Sequence, residues 1–474
     1  MSWFRRLLGS PRARRGVAAS AVVLAVGGLV LARSPVAKTT FGEALLAGQN
    51  GAEFSGPGAR GTLSLSHELT PSGGREDIFA ELRLRANDER MVAEERAPLS
   101  LAIVFDTSGS MSGEKIETSK RSVRTLIERM RDDDEVAFVR YDSNHSLVQS
   151  LARVGRVRQE LLHNISDLQA SGGTNIPPAL RAGVRELSRA SGSRVRRVVL
   201  VSDGLDSTRA EAESIARSAT DEQVTVSALG IGLDFDEGYM AAVSSAGRGN
   251  FGFVRDAVAL AGFLQRELDE TATTVVTDAR ARLTLPAGMR FVRAVGADAN
   301  VLGDEVELRI GSLFAGDERR VIVQLTADAE HGQRLDLASQ VSWRHVRGDQ
   351  ARAILPALRV TGERDRRLVL ERRDGAVLAS ATSALASLRQ LAATEAFSRG
   401  DTATAQRLLD ENLAELEQSA AAAPQAARPA LERQRAEVAE AKSAFAAPAA
   451  SPKAREASKT SAEKNSANLS RSAF

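Results

Sequence analysis

Residues 101–110 read LAIVFDTSGS, an apolar run that is followed directly by a loop of oxygen-bearing side chains. The run 101–105 is apolar throughout, as expected of a strand that is covered on both faces of a sheet. Asp106, Ser108 and Ser110 follow within five residues, so a carboxylate and two hydroxyls leave the strand in one loop. Oxygen ligands of this kind are the ones that Mg²⁺ and Ca²⁺ prefer. The stretch therefore predicts a buried strand that ends in a divalent metal site.

Two later segments offer further oxygen ligands. Residues 171–175 read SGGTN, which places Thr174 in a loop flanked by glycines. Residues 198–204 read VVLVSDG, which places Asp203 after another apolar strand. An isolated Asp-x-Ser-x-Ser sequence is a weak signal, because such a turn can simply cap a helix. Since the other two elements accompany it in order, the metal site is favoured over the capping interpretation.

This three-part pattern resembles the von Willebrand factor A domain and its metal-ion-dependent adhesion site. The signature of that family is Asp-x-Ser-x-Ser, then a threonine in a glycine-flanked loop, then an aspartate after the fourth strand. The resemblance covers residues 99–269. It implies that Ser108 and Ser110 coordinate the metal through their hydroxyls. It also implies that Asp106 and Asp203 hold the metal directly or through water, and that Thr174 joins in the ligand-competent state.

The same resemblance implies a cofactor and a kind of partner. A small octahedral shell in which few ligands carry charge favours Mg²⁺ with retained waters, and Mn²⁺ or Ca²⁺ are alternatives. A carboxylate from an Asp or Glu of a partner protein then fills the open coordination position. Binding is therefore expected to depend on the metal and to be directed at an acidic residue.

The chain around the motif changes its pattern twice. Residues 99–270 alternate apolar strands with amphipathic helices, which predicts a doubly wound, mostly parallel α/β sheet with ligands at the carboxyl ends of its strands. Residues 61–98 and 271–362 show the period-two alternation of half-buried antiparallel strands. Two early strands cannot form a stable unit alone. We therefore expect one antiparallel β-sandwich with the α/β domain inserted in it, rather than a separate β-domain on each side.

The remaining segments predict a linker, a helical module and a tail. Residues 34–60 are rich in Gly and Ala and are interpreted as a linker. Residues 366–445 contain alanine-rich helical patterns and are expected to form a small helical hairpin region that packs or docks a partner. Residues 446–474 hold almost no large apolar side chain. Such a segment cannot offset its ordering entropy, so we expect a disordered tail.

Residues 1–33 are typical of a membrane-targeting signal. Five arginines and no acid precede the apolar or small residues 16–32. That run is slightly short for a transmembrane helix and long for a signal-peptide core, so an uncleaved anchor and a cleaved signal peptide both stay open. Either one predicts that the chain after Arg33 is exported. We expect a bacterial inner-membrane protein with a periplasmic bulk, or a secreted or periplasmic protein after cleavage.

Composition argues against nucleic-acid binding and catalysis. The formal charge is +2, and setting aside the six arginines of residues 1–33 leaves −4 for the exported part. With 4% aromatic residues, few side chains can stack on bases, so no nucleic-acid partner is expected. The five histidines are scattered, and no Ser-His-Asp, Walker or dinucleotide-binding glycine pattern occurs. The sequence predicts a protein that is not an enzyme, and no feature of it fixes an oligomeric state.

Three functions fit these observations. The first is an extracytoplasmic adhesion or assembly protein that uses a Mg²⁺-loaded site to engage an acidic residue of a partner. The second is a subunit of an assembly or maturation machine, similar to the A-domain partners of AAA+ ATPases, which work in the cytoplasm. The third is a structural scaffold whose metal site is vestigial or merely stabilising.

Overall fold

The computed structural model describes residues 39–41, 43–46, 50–88, 98–190, 194–203, 206–255 and 257–470. Its strands are β1 Thr39–Phe41, β2 Glu43–Leu46, β3 Gly51–Gly56, β4 Ala59–Leu65, β5 Leu69–Pro71, β6 Arg75–Ala86, β7 Leu99–Asp106, β8 Glu135–Tyr141, β9 His145–Arg153, β10 Val195–Ser202, β11 Val224–Ile231, β12 Arg248–Val254, β13 Thr274–Thr284, β14 Met289–Val295, β15 Asp298–Leu302, β16 Glu305–Phe314, β17 Glu318–Asp328, β18 Arg334–His345 and β19 Gln350–Glu363. Its helices are α1 Glu114–Arg129, α2 Val154–Ser166, α3 Ile176–Leu187, α4 Arg209–Asp221, α5 Glu237–Ala246, α6 Ala257–Ala272, α7 Arg366–Glu371, α8 Gly375–Ser398, α9 Thr402–Ala422, α10 Arg428–Ala444 and α11 Pro452–Ser470.

The α/β domain is a six-stranded sheet with helices on both faces. Its strand order is β12-β11-β10-β7-β8-β9, parallel except for β9, which runs antiparallel to β8. Strand β7 is buried along its whole length, as its continuous apolar run predicts. Helices α1, α2 and α6 share one core with the sheet, and helices α3, α4 and α5 share the other. The chain winds outward from β7 in both directions, so the carboxyl ends of β7 and β10 lie at the point where such folds bind ligands.

The strands before and after the α/β domain form one β-sandwich. One sheet has the order β14-β17-β6-β4-β3-β2, and the other has the order β1-β19-β18-β13-β16-β15 with β5 beside β19. Strand β6, which precedes the α/β domain, pairs along its length with β17, which follows it, as in the register Leu82 to Val321. Both sheets contribute to one apolar core that includes Trp343. The fold class expected from the sequence, an α/β domain inserted in a β-sandwich, is confirmed.

The linker expected over residues 34–60 is wrong, because strands β1 and β2 already lie within this segment. Residues of this segment form β3, and Ala59 begins β4. Ala52 and Phe54 are buried in the core of the sandwich. A Cβ at Gly56 would lie 2.8 Å from Cζ2 of Trp343, so that glycine allows a close approach of backbone to ring. A segment rich in Gly and Ala is typical of a flexible linker, but here the small residues allow close packing in the sandwich, and composition does not distinguish the two.

A helical module follows the sandwich. Helices α8 and α9 form a hairpin at Gly400, which has a φ of +83°. Asp401 caps α9 by accepting a hydrogen bond from the backbone N–H of Thr404 at 3.0 Å. Phe397 of α8 stacks on Phe445, which follows α10, with ring centroids 4.1 Å apart. The module therefore has an apolar core of its own.

The expected disordered tail over residues 446–474 is wrong, because residues 452–470 form helix α11. Four small side chains at a spacing of four residues are buried along one face of α11: Ala454, Ser458, Ala462 and Ser466. Lys459 is buried beside them at 3% exposure. Since small side chains let a helix approach its neighbours closely, this helix packs without the large apolar residues on which the disorder prediction relied.

The described helices do not include one that is both long and apolar enough to cross a membrane. The anchor or signal peptide expected over residues 1–33 lies outside the described residues.

Candidate metal centre

Adjacent parallel strands bring two of the predicted carboxylates together. Strands β7 and β10 pair in the register Phe105 to Val201, so Asp106 and Asp203 leave the same edge of the sheet. Both aspartates have 0% of their surface exposed. Two buried carboxylates side by side are costly unless cations or hydrogen bonds compensate them.

Asp106 lies beneath the loop and is held by three donors. Its Oδ1 accepts from the backbone N–H of Ser108 at 2.7 Å. Its Oδ2 accepts from the hydroxyl of Ser202 at 2.7 Å and, at 3.4 Å, from the hydroxyl of Tyr141, which it shares with the carbonyl of Val201 at 3.1 Å. Burial raises the pKa of Asp106, the hydrogen bonds lower it, and the nearby charge of Asp203 raises it further, so that the net shift is upward. The folded chain thus disfavours the ionised form of Asp106 unless a cation is near.

The two predicted serine hydroxyls connect to Asp203. The Oγ atoms of Ser108 and Ser110 are 3.0 Å apart. The hydroxyl of Ser110 also donates to Oδ1 of Asp203 at 2.7 Å. A short 3₁₀ turn, Gly109–Met111, presents these hydroxyls after the strand ends. Ser108 is buried whereas Ser110 is exposed, so the cluster opens to solvent on the side of Ser110.

The loop that carries Thr174 lies against this turn. The backbone N–H of Gly109 donates to the carbonyl of Gly172 at 3.0 Å, and that of Ser171 donates to the carbonyl of Thr107 at 2.7 Å. Gly172 has a φ of +74°, which a residue with a side chain adopts only at a cost. The structure therefore joins Asp106, Ser108, Ser110 and Asp203 in one hydrogen-bonded cluster, and it links the half-buried Thr174 to them through backbone contacts of its loop.

A lysine that sequence reasoning missed also contacts the cluster. Nζ of Lys115, in the first turn of α1, lies 2.5 Å from Oδ2 of Asp203 and 3.3 Å from Oδ2 of Asp234. Burial acts to lower the pKa of Lys115, but the two aspartates outweigh it and the pKa is raised. Asp236, not Asp234, caps helix α5, by accepting from the N–H of Tyr239 at 2.9 Å. Asp234 instead forms ion pairs with cationic side chains. No local sequence pattern predicts that role.

The side chains fit a hard divalent cation. In the part of the chain that the structure describes, no three His, Asp or Glu side chains converge as a metal cluster. A metal at this edge would therefore depend on hydroxyl oxygens together with Asp203, which is the donor chemistry that Mg²⁺ accepts. Those oxygens now hydrogen-bond to one another, so they already face a common point.

A comparison with protein families decides what the α/β domain is. Residues 100–266 match the family model described as the von Willebrand factor type A domain. The chain contains a von Willebrand factor A domain. The resemblance inferred from three short motifs is thus confirmed at the level of the domain.

Several known proteins are similar in sequence to part of this chain. A protein of Synechocystis is 26% identical over 247 residues, and the protein YfbK of Escherichia coli is 24% identical over 284 residues. These alignments cover 50% and 56% of this chain but only 59% and 48% of the relatives' own lengths. The inter-alpha-trypsin inhibitor heavy chain H2 of Mus musculus is 29% identical over 167 residues, which is 32% of this chain and 17% of that protein.

Two solved structures share more of the architecture. A von Willebrand factor type A structure from Catenulispora acidiphila aligns with a TM-score of 0.62 at 17% identity, over 85% of this chain and 91% of that one. The ArnB paralog VWA2 from Sulfolobus acidocaldarius aligns with a TM-score of 0.56 at 14% identity, over 87% and 99%. At these identities the likeness extends to the fold alone.

Proposed function

We propose that this chain is an extracytoplasmic binding protein, not an enzyme, whose A domain uses a divalent metal to engage an acidic residue of a partner protein. The observation that carries the proposal is the cluster at the ends of β7 and β10. There the hydroxyls of Ser108 and Ser110 and a carboxylate oxygen of Asp203 are linked by hydrogen bonds of 3.0 and 2.7 Å. A chain with this cluster can hold Mg²⁺ without a histidine or a thiolate.

The residues of the cluster have different proposed roles, which follow from their position and burial. Ser108, Ser110 and Asp203 would hold the metal, and bound Mg²⁺ would supply a positive charge with a coordination position open to an incoming carboxylate. Asp106 orients the loop by accepting from the backbone N–H of Ser108 at 2.7 Å. Ser110 is exposed, so a partner side chain reaches the cluster from its side.

The location outside the cytoplasm is part of the proposal and rests on residues 1–33. Their arginines precede an apolar run, and the remaining chain has no cysteine to be oxidised after export. Fusion of a periplasm-active reporter enzyme after residue 474 tests this part. Activity of the fusion supports export, and its absence together with activity of a cytoplasmic reporter contradicts it.

A selection of peptides tests the binding function. The full-length chain is presented to a random peptide library in Mg²⁺, and bound peptides are eluted with EDTA. We expect the eluted peptides to share an Asp or Glu whose replacement by Asn or Gln weakens binding at least about tenfold, as for loss of a charged ligand. The Asp203→Asn chain is the control and should recover no such peptides. Peptides that lack an acidic residue, or that bind equally in EDTA, would contradict the proposal.

A scaffold is the second candidate, and one contact favours it. Lys115 already supplies a cation to Asp203 at 2.5 Å, so the domain has its own means of neutralising that carboxylate. Under this alternative, removing metal leaves partner binding unchanged, and the melting temperature falls if the metal stabilises the fold or stays the same if the site is vestigial.

A further inference from the structure

Lys115 lies between two carboxylates, only one of which belongs to the candidate metal centre. Its Nζ is 2.5 Å from Asp203 and 3.3 Å from Asp234. Asp203 is fully buried, whereas the side chain of Asp234 is 59% exposed. The ammonium group therefore has two anionic positions within a short movement of a flexible side chain.

Asp234 is shared with a second cation from the C-terminal helix. Arg455 of α11 donates to Oδ1 of Asp234 at 2.9 Å and also to the backbone carbonyl of Leu233. Lys459, one turn further along α11, donates to the backbone carbonyl of Phe235 at 2.8 Å. Helix α11 thus fixes the loop that follows β11 and neutralises its carboxylate.

The same loop passes directly beside Lys115. Gly232 has a φ of +73°, and a Cβ at that position would lie 3.4 Å from Cε of Lys115. The path from α11 to Asp203 is therefore a short series of contacts through Asp234 and Lys115. Each step is an ion pair between groups of opposite charge.

A divalent cation on Asp203 would compete with Lys115 for the same carboxylate and would repel its ammonium group. Lys115 then moves toward Asp234, the other carboxylate that it contacts. While Arg455 neutralises Asp234, that position is a poor acceptor for a second cation, and Lys115 is favoured on Asp203. When Arg455 is absent, Asp234 attracts Lys115 more strongly and Asp203 is released.

We propose that docked α11 lowers the metal affinity of the A domain, because Arg455 occupies Asp234 and leaves Lys115 on Asp203. This inference rests on the proposed metal-dependent function and adds a regulator to the same site. Any event that lifts Arg455 from Asp234 then raises metal affinity without a change in the metal ligands. A partner that displaces α11 is one such event.

The proposal predicts the direction in which three substitutions change the Mg²⁺ affinity. Lys115→Met removes the internal competitor and should tighten Mg²⁺ binding about tenfold, as expected for loss of a charge-assisted hydrogen bond to a buried carboxylate. Arg455→Gln should tighten it about threefold, a smaller effect because the Arg455–Asp234 pair is partly exposed. Asp234→Asn should weaken Mg²⁺ binding by a similar factor, because Asp203 is then the only carboxylate of this pair with which Lys115 can form an ion pair.

The coupling between sites is the sharper test. Arg455 acts only through the position of Lys115, so Arg455→Gln should have no effect on Mg²⁺ affinity in a Lys115→Met background. Lys464→Gln is the matched control on the same helix. Lys464 pairs with Glu437 of α10 at 3.3 Å and touches no residue of this path.

Titration calorimetry of full-length chains with MgCl₂ measures these affinities. Circular dichroism in EDTA verifies that each variant is folded. If Lys115→Met does not fold, Lys115→Gln replaces it. Tighter binding in Arg455→Gln that disappears in the double variant supports the proposal. An unchanged affinity in Lys115→Met, or an Arg455 effect that persists in its absence, overturns it while leaving the metal site intact. If the wild-type chain shows no binding but Lys115→Met does, the competition is supported. If neither binds, the metal site and the regulation both fail.

Discussion

One buried ion pair contributes to the attachment of α11 to the A domain, and a single substitution tests that contribution. Nζ of Lys459 lies 2.8 Å from Oε2 of Glu237 and 4.3 Å from the centroid of the Phe235 ring. Both charged residues are only 3% exposed. Removing one partner of a buried pair leaves the other charge uncompensated, which costs about 3–5 kcal/mol. The hydroxyl of Ser458 donates to Glu237 at 2.6 Å and offsets only part of that cost.

Lys459→Met should therefore detach α11 rather than unfold the chain, because α11 is the last described helix and packs through small side chains. We expect its amide hydrogens to exchange about a hundredfold to a few thousandfold faster, because a cost of about 3–5 kcal/mol at about 1.4 kcal/mol per factor of ten is roughly two to three and a half factors of ten. Hydrogen exchange followed by mass spectrometry measures peptides within residues 452–470.

Two variants serve as controls for this prediction. Lys464→Met, on the exposed side of α11, should leave exchange nearly unchanged, since an exposed pair contributes about 0–1 kcal/mol. The double variant Glu237→Gln with Lys459→Met should regain much of the protection, because no charge then remains buried without a partner. Unchanged exchange in Lys459→Met, or equal acceleration in Lys464→Met, would refute the account of how α11 is held.

Three other perturbations have defined outcomes. Tyr141→Phe removes a buried hydroxyl that donates to the backbone carbonyl of Val201 at 3.1 Å and lies 3.4 Å from Oδ2 of Asp106. It should lower the free energy of unfolding of the A domain by about 1 kcal/mol in urea titrations, and no change would mean that these contacts do not stabilise the domain. Thr174→Ala should leave the Mg²⁺ affinity within about twofold of the wild-type value, yet it should weaken the binding of the acidic peptides recovered by selection. Equal peptide affinity in the two chains would contradict a role for Thr174 in ligand binding. Burial acts to raise the pKa of Glu237, but Lys459 and nearby hydroxyls outweigh it and the pKa is lowered from 4.5. Docking of α11 should therefore be fully stabilised by this pair above pH 4.5 and lose that stabilisation as the pH falls through the lowered pKa, and protection of α11 that is insensitive to acid would argue against it.

The sequence predicted which side chains the structure brings together at the ends of β7 and β10, because these residues lie at or just after strand ends. Asp106 and Asp203 each follow an apolar run, and parallel strands place such residues at one edge of a sheet. Loop spacing then added Ser108 and Ser110. This part of the site needed no knowledge of long-range packing.

The rest of the site depends on contacts between distant parts of the chain. Lys115 and Asp203 are 88 residues apart, and Arg455 and Asp234 are 221 residues apart. A lysine in a first helical turn has the sequence appearance of any solvated residue. Helix α11 was missed for a related reason, since its buried face consists of Ala and Ser, and a composition without large apolar residues resembles disorder.

Magnesium titration calorimetry of the full-length wild-type chain against Ser110→Ala tests the central claim most directly. Replacing Ser110 removes a proposed ligand and also a hydrogen bond of 2.7 Å to the buried carboxylate of Asp203, which should lower the free energy of unfolding by about 1.5–3 kcal/mol. Circular dichroism verifies that the variant is folded. We predict saturable binding of one Mg²⁺ by the wild type and a loss of at least about tenfold in affinity in the variant. Equal heats in both chains, or no heat of binding in either, would contradict a metal-dependent binding function and favour the scaffold.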